Sequence, residues 1–199
     1  MSTRSPTRWY SPTDNGSATP PLGPKSAVRK SCGFLRRLGK AVLWAGAGDP
    51  RFALVIASCS GEGGASLSRR NYGETVKHLN ANFGYQFSRN YQRFGDQVDQ
   101  LPVDAHLLLS LLAPRPLYLG TGDQDRWSDP KGEFLAAVAV EPVYRLLSKQ
   151  GLGTDQLPPA GQPILHTIGY RMHAGRHGTI PSDWDHYLKF LEMHLRPAQ

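Results

Sequence analysis

Residues Gly120 to Pro130 read GTGDQDRWSDP, between a short apolar run, Pro116 to Leu119, and a long helical pattern. Three carboxylates and a tryptophan share this one loop. In an open α/β sheet, ligands and reacting groups collect at the carboxyl ends of strands, so Asp123, Asp125 and Trp127 fall where an acid or a ligand contact belongs. The competing reading is a solvated strand-to-helix turn in which Asp129 and Pro130 cap the helix.

A second stretch decides between the two. Arg171 to Gly178, RMHAGRHG, follows another apolar run, Pro163 to Gly169, and precedes an amphipathic C-terminal helix. It places His173 and His177 in a glycine-containing loop. The order strand, Asp loop, helix, strand, His loop, helix is that of the closing half of an α/β-hydrolase, whose nucleophile, acid and histidine follow one another along the chain. The nucleophile is then expected upstream.

A length of 199 residues suits one ordinary domain, and 39% hydrophobic with 10% aromatic content is globular. The net charge of +7 is concentrated at one end. Residues 1–37 hold seven basic side chains against the single acid Asp14, which is six of the seven net charges, so the body is nearly neutral and a nucleic-acid function is discounted. Cys32 and Cys59 cannot make a disulfide framework, and no Cys/His spacing suggests a metal site. The N-terminus has no apolar core of the signal-peptide kind and no run approaches membrane-spanning length, so the chain as written reads as soluble and untargeted, with no membrane partner.

Residues 1–31 are rich in Pro, Ser, Thr and Arg without apolar periodicity, and disorder is expected there. Leu38 to Ala47 turns helical, and FALVIA, Phe52 to Ala57, suits a buried parallel strand. The following SCSGEGGASLSRR, from Ser58, lacks the spacing of a phosphate cradle and the GxSxG frame of a nucleophile elbow at Cys59 or Ser60; a pocket-shaping loop is the third reading. Helices are expected over Tyr72 to Leu79, from a cap at Asp104 to Pro114, over Gly132 to Lys149, and over Asp183 to Leu195, the last with Trp184, Tyr187, Leu188 and Leu191 inward. Tyr85, Phe87 and Tyr91 are read as packing. Strands are expected at RPLYLG and at Pro163 to Gly169, with a Gly/Pro-rich surface loop from Gly151 to Gln162 between helix and strand.

From about Arg37 to Leu195 the chain resembles bacterial glucuronoyl esterases, α/β-hydrolases that cleave the ester between glucuronic acid on xylan and lignin alcohols. The resemblance is carried by RLGKAVLWAGA, SGEGGASLSRRNYGETV, LPVDAHLLLSLLAPRPLYLGTGDQDRWSDPKGEF, PVYRLL and RMHAGRHGTIPSDWDHYLKF. It implies a mostly parallel sheet with flanking helices, a glucuronoxylan or lignin-carbohydrate ester as substrate, no cofactor or metal, and a secreted or periplasmic setting. By position, His177 resembles the family's base and Asp125 its acid, with Asp123 the neighbour most easily confused with it. Fungal members carry a glutamate after the earlier strand, where this chain has Cys59. Arg37 resembles the arginine that stabilises the oxyanion, and Lys40, Glu74 and Trp127 resemble residues that bind sugar hydroxyls. Taken singly, Lys40 also reads as a solvated helix residue, Glu74 as a first-turn charge and Trp127 as a packed aromatic.

One position departs from the family. Its elbow reads glycine, any residue, serine, arginine, but Gly33 to Lys40 reads GFLRRLGK, which puts Arg36 at the serine. The resemblance spans about four fifths of the chain and only the C-terminal half of the family fold. The expected organisation is therefore a basic segment, 1–36, with a composition that suggests a shifted frame or misassigned start, and a partial hydrolase domain, 37–199. The chain is expected to be inactive as written; an acetyl xylan esterase and a non-catalytic sugar-binding relative are the rival readings.

Overall fold

The computed structural model describes residues 39–195. The expected disordered segment, Cys32, Arg36 and Arg37 lie outside the described residues. Among the described residues four strands form one sheet: β1 (Val55–Ser58), β2 (Leu117–Gly122), β3 (Ile164–Leu165) and β4 (Ile168–His173), in spatial order β1-β2-β4-β3. β1, β2 and β4 are parallel, in the register Val55↔Leu117↔Ile168, and β3 is an antiparallel edge.

Because side chains alternate across a strand, the uninterrupted apolar runs feed two cores. Val55, Ala57, Leu117, Leu119, Ile168 and Tyr170 pack on one face against α1 (Gly39–Gly48), α4 (Ala105–Ser110) and α5 (Pro130–Ala139). Leu54, Ile56 and Tyr118 pack on the other face against Tyr187 and Phe190 of α7 (Pro181–Leu195). Tyr118 meets both rings edge-on at 5.3 and 5.2 Å. Burying an aromatic of this size stabilises the fold by roughly 2–3 kcal/mol.

Several boundaries differ from expectation. The strand expected at RPLYLG runs two residues further, so that Thr121 and Gly122 are strand rather than loop. A Cβ at Gly122 would lie 2.5 Å from the carbonyls of Gly175 and Arg176, so only glycine lets the two strand ends close together there. The final strand is a hairpin, β3 and β4, and runs on to His173.

The helix expected over 72–79 is α2 (Val76–Phe83). Gly73 is in the left-handed region (φ +70°), and the Glu74 N–H donates to the Trp127 carbonyl at 2.8 Å, so the chain is tied to the Asp loop before the helix starts behind the Thr75 cap. The single helix expected over 132–149 is two, α5 and α6 (Glu141–Leu146), divided at Val140 with Pro142 in the first turn of α6.

Asp104 caps α4 as read, accepting from the Ala105 N–H. Asp129 makes no cap bond, because its carboxylate is taken by Arg70 and Ser66. Leu188 is 56% exposed and Phe190 takes the expected inward place. Phe87, just before α3 (Arg89–Gln92), stacks at 4.9 Å on Tyr91 of that helix, whereas Tyr85 is 84% exposed and does not pack.

Candidate active site

The three parallel strands end side by side, and each contributes at its carboxyl end. After β2, the Asp125 N–H donates back to the Gly122 carbonyl, which turns the buried carboxylate toward the loop after β4. There Asp125 Oδ2 lies 2.8 Å from Nδ1 of His177, and Oδ1 accepts from the Ser128 N–H at 3.2 Å. A carboxylate beside Nδ1 keeps the proton on that nitrogen and leaves Nε2 as the basic atom. The His177 side chain is 62% exposed, so its outer edge is accessible. Ser128 Oγ lies 3.3 Å from the same Nδ1, as a second acceptor for its proton.

Asp123 has a different task. Its backbone N–H donates to the His173 carbonyl and its Oδ1 accepts from the Gly175 N–H at 2.8 Å, stapling the two loops together. His173 is buried at the end of β4, with Nδ1 3.1 Å from Asp183 and Nε2 3.0 Å from the Arg176 carbonyl. Asp183 also pairs with Arg171 and accepts from the Ile180 N–H. Of the two histidines in this stretch, His177 faces Asp125 and His173 faces Asp183.

After β1, Cys59 adopts a left-handed backbone (φ +49°) that presents its thiol to the same place. Its Sγ accepts from the Gly178 N–H and donates to the Gly178 carbonyl, both at 3.3 Å. Burial pushes the thiol up, which opposes the thiolate that a nucleophilic cysteine needs. Ser60 is no better placed: its Oγ donates to Glu133 Oε1 at 2.7 Å and accepts from the Ala65 N–H, with almost no exposed surface. The glycine-rich stretch is thus a folded loop on a buried acid, and neither elbow reading has geometric support.

The three expected sugar ligands meet. Lys40 Nζ lies 2.6 Å from Glu74 Oε2 and donates to the Ser60 carbonyl at 3.0 Å, while Trp127 Nε1 donates to Glu74 Oε1 at 3.3 Å. Trp127 remains 46% exposed and packs edge-on against His78 at 4.5 Å. Since Asp125 and Trp127 are two residues apart, one loop carries both side chains. Arg70 holds that loop from behind, 2.7 Å from Asp129.

Sequence reasoning missed Glu133, which is fully buried behind the site. It accepts from Ser60 Oγ and from the Gly61 N–H at 2.8 Å, and burial pushes it up to about 7. Trp44, whose Nε1 donates to the Gly63 carbonyl, was also unanticipated. These contacts span 73 and 19 residues, and no local pattern announces them.

Known proteins resemble this chain in sequence and in fold. The family model "Glucuronyl esterase, fungi" matches residues 32–148. A carbohydrate esterase from an unknown prokaryotic organism is 46% identical over 159 residues, 80% of this chain and 37% of that protein. The 4-O-methyl-glucuronoyl methylesterase 1 of Wolfiporia cocos is 32% identical over 56% of this chain and 29% of its own. Among solved structures, a glucuronoyl esterase from Solibacter usitatus superposes with a TM-score of 0.76 at 44% identity, over 79% of this chain and 40% of that one. The chain thus spans about two fifths of the length of these two relatives, the prokaryotic carbohydrate esterase and the Solibacter usitatus enzyme. With more than half of its residues inside the matched family model and an α/β-hydrolase-like sheet, the chain belongs to the glucuronoyl esterase family.

Proposed function

We propose that residues 37–199 form a glucuronoyl-esterase-like unit, with residues 1–36 a separate segment, and that the unit supplies the base, acid and sugar-binding groups for hydrolysing esters of (4-O-methyl-)glucuronic acid in glucuronoxylan-lignin linkages. The observation that carries this reading is the 2.8 Å contact between Asp125 and His177 at the ends of adjacent parallel strands. In a complete enzyme, His177 Nε2 takes the proton of a serine hydroxyl as its oxygen attacks the ester carbonyl, and returns it to the departing alcohol. Water then repeats the cycle on the acyl-enzyme, and Asp125 balances the transient imidazolium in both halves. Arg37 stabilises the oxyanion, and Lys40, Glu74 and Trp127 hold the sugar hydroxyls. The substrate's polysaccharide nature implies work outside the cell; among the described residues no helix is long and apolar enough to cross a membrane.

Arg36 occupies the serine's place in the motif, and a guanidinium has no lone pair to offer a carbonyl. The purified chain is therefore expected to bind glucuronic acid without hydrolysing methyl glucuronate. Calorimetry tests the first half, with Glu74→Gln expected to weaken binding roughly tenfold, since the sugar loses a charge-assisted partner. Turnover by the unaltered chain overturns the inactivity. Equal binding by Glu74→Gln overturns the sugar site. Preference for acetylated xylan supports the acetyl esterase reading. The nucleotide sequence across codon 36, translated in three frames, separates a displaced frame from a non-catalytic relative: an apolar strand ending in glycine, any residue, serine, arginine marks the former.

A further inference from the structure

Cys59, Asp125 and His177 come from the ends of three different strands. A thiol sulfur, a carboxylate oxygen and an imidazole nitrogen, one from each residue, all lie within 4.8 Å of one another. Tetrahedral zinc, with bonds of roughly 2.0–2.3 Å to such atoms, needs them about 3.3–3.7 Å apart, so closure asks for a shift of only about 1 Å. Two of the three side chains are buried and the third is exposed. The cluster therefore has a dry floor and an open side, through which an ion can enter and a water can complete the tetrahedron. The partners around it already orient the ligands: the Ser128 N–H holds Asp125 Oδ1, and the Gly178 backbone brackets the sulfur.

We propose that these three residues form a site for a soft divalent transition-metal cation, zinc foremost, and that an ion seated there silences His177 as a base. One thiolate, one imidazole and one carboxylate suit zinc, whereas calcium and magnesium need more oxygen ligands than the single carboxylate provides. The balance is simple. The Cys59 thiol gives up its proton to solvent, and the cation's two charges are met by thiolate and carboxylate. His177 binds through Nδ1, the atom nearest Asp125, so its one proton moves to Nε2, and the lone pair that general-base catalysis needs is gone. Metal occupancy and catalysis thus compete for the same atoms. Only this inhibitory consequence rests on the catalytic reading of His177; the binding itself does not.

The test is direct metal binding to the purified chain carrying Cys32→Ser, which removes the one other cysteine. Zinc titrated by calorimetry is expected to bind at one equivalent. Cobalt(II) in its place is expected to show a thiolate-to-metal charge-transfer band in the near ultraviolet and the visible bands of a tetrahedral ion. Cys59→Ser is expected to abolish the charge-transfer band and to weaken zinc by on the order of a hundredfold or more, beyond what losing an outer partner costs. Absence of the band from the Cys32→Ser chain, or zinc binding undiminished by Cys59→Ser, overturns the proposal. If Cys59→Ser changes the far-ultraviolet circular dichroism, the cobalt spectrum of the Cys32→Ser chain decides alone. Because turnover is not read, a chain inert toward glucuronoyl esters leaves the metal site standing, and a chain that binds no metal leaves the esterase reading standing.

Discussion

Asp125 gives Oδ2 to His177, while Asp123 gives its carboxylate to the Gly175 N–H, and this division of labour is open to measurement. In an enzyme completed upstream of residue 37, Asp125→Asn is expected to lower kcat by roughly 10³- to 10⁴-fold, because an amide that donates to Nδ1 selects the wrong tautomer. Asp123→Asn keeps an acceptor for Gly175 and is expected to cost about tenfold or less, so steady-state kinetics on the pair checks the assignment. Glu133 permits a second prediction at this scale. Burial lifts its carboxyl from 4.5 to about 7, so between these values the native state keeps a proton that the unfolded chain has released. The raised value means that stability falls as pH climbs from about 4.5 to 7 and stays lower above, by on the order of 3 kcal/mol. Glu133→Gln mimics the protonated form, so its unfolding midpoint in urea, relative to the unaltered chain, is expected to improve from pH 5 to pH 8.

At the scale of elements, the loop bearing His177 is suspended between β4 and α7, and the buried Asp183 is its anchor. That one carboxylate meets Arg171 and His173 of β4 and the Ile180 N–H. Removing it leaves a buried guanidinium unpaired, so Asp183→Ala is expected to cost about 3–5 kcal/mol in chemical denaturation. On the opposite side of the loop, a Cβ at Gly122 would collide with the Gly175 and Arg176 carbonyls. Gly122→Ala is therefore expected to destabilise by about 1–3 kcal/mol and to raise amide exchange across residues 174–178 more than in α5. The helix boundaries misplaced by sequence, α2 and the α5–α6 division, are those where a tertiary tether or a proline overrode apolar periodicity.

At the scale of the whole molecule, β1 has a strand neighbour on one side only among the described residues, and it is apolar. Trp44 and Leu111, both 60% exposed, add apolar surface on the α1 and α4 side. An open parallel edge beside such surface invites association, so the isolated chain is expected to sediment as oligomers or aggregates. A monodisperse monomer with a cooperative melt would count against that reading.

The sequence alone determined the apolar strands β1 and β2, the capped start of α4 and the closing helix α7, and it singled out the residues proposed to carry the chemistry. Asp125, His177, Lys40, Glu74 and Trp127 stand in motifs, and apolar periodicity, capping and glycine punctuation are local signals that a single chain displays. Only the tertiary structure decided which of these groups touch. Cys59, Asp125 and His177 are separated by 66 and 52 positions, yet meet because β1, β2 and β4 are parallel neighbours in register. Glu133 reaches Ser60 across 73 positions for a related reason, since α5 packs on the face beneath the β1 loop. Strand order and register arise from packing over the whole sheet, and no spacing along the chain encodes them.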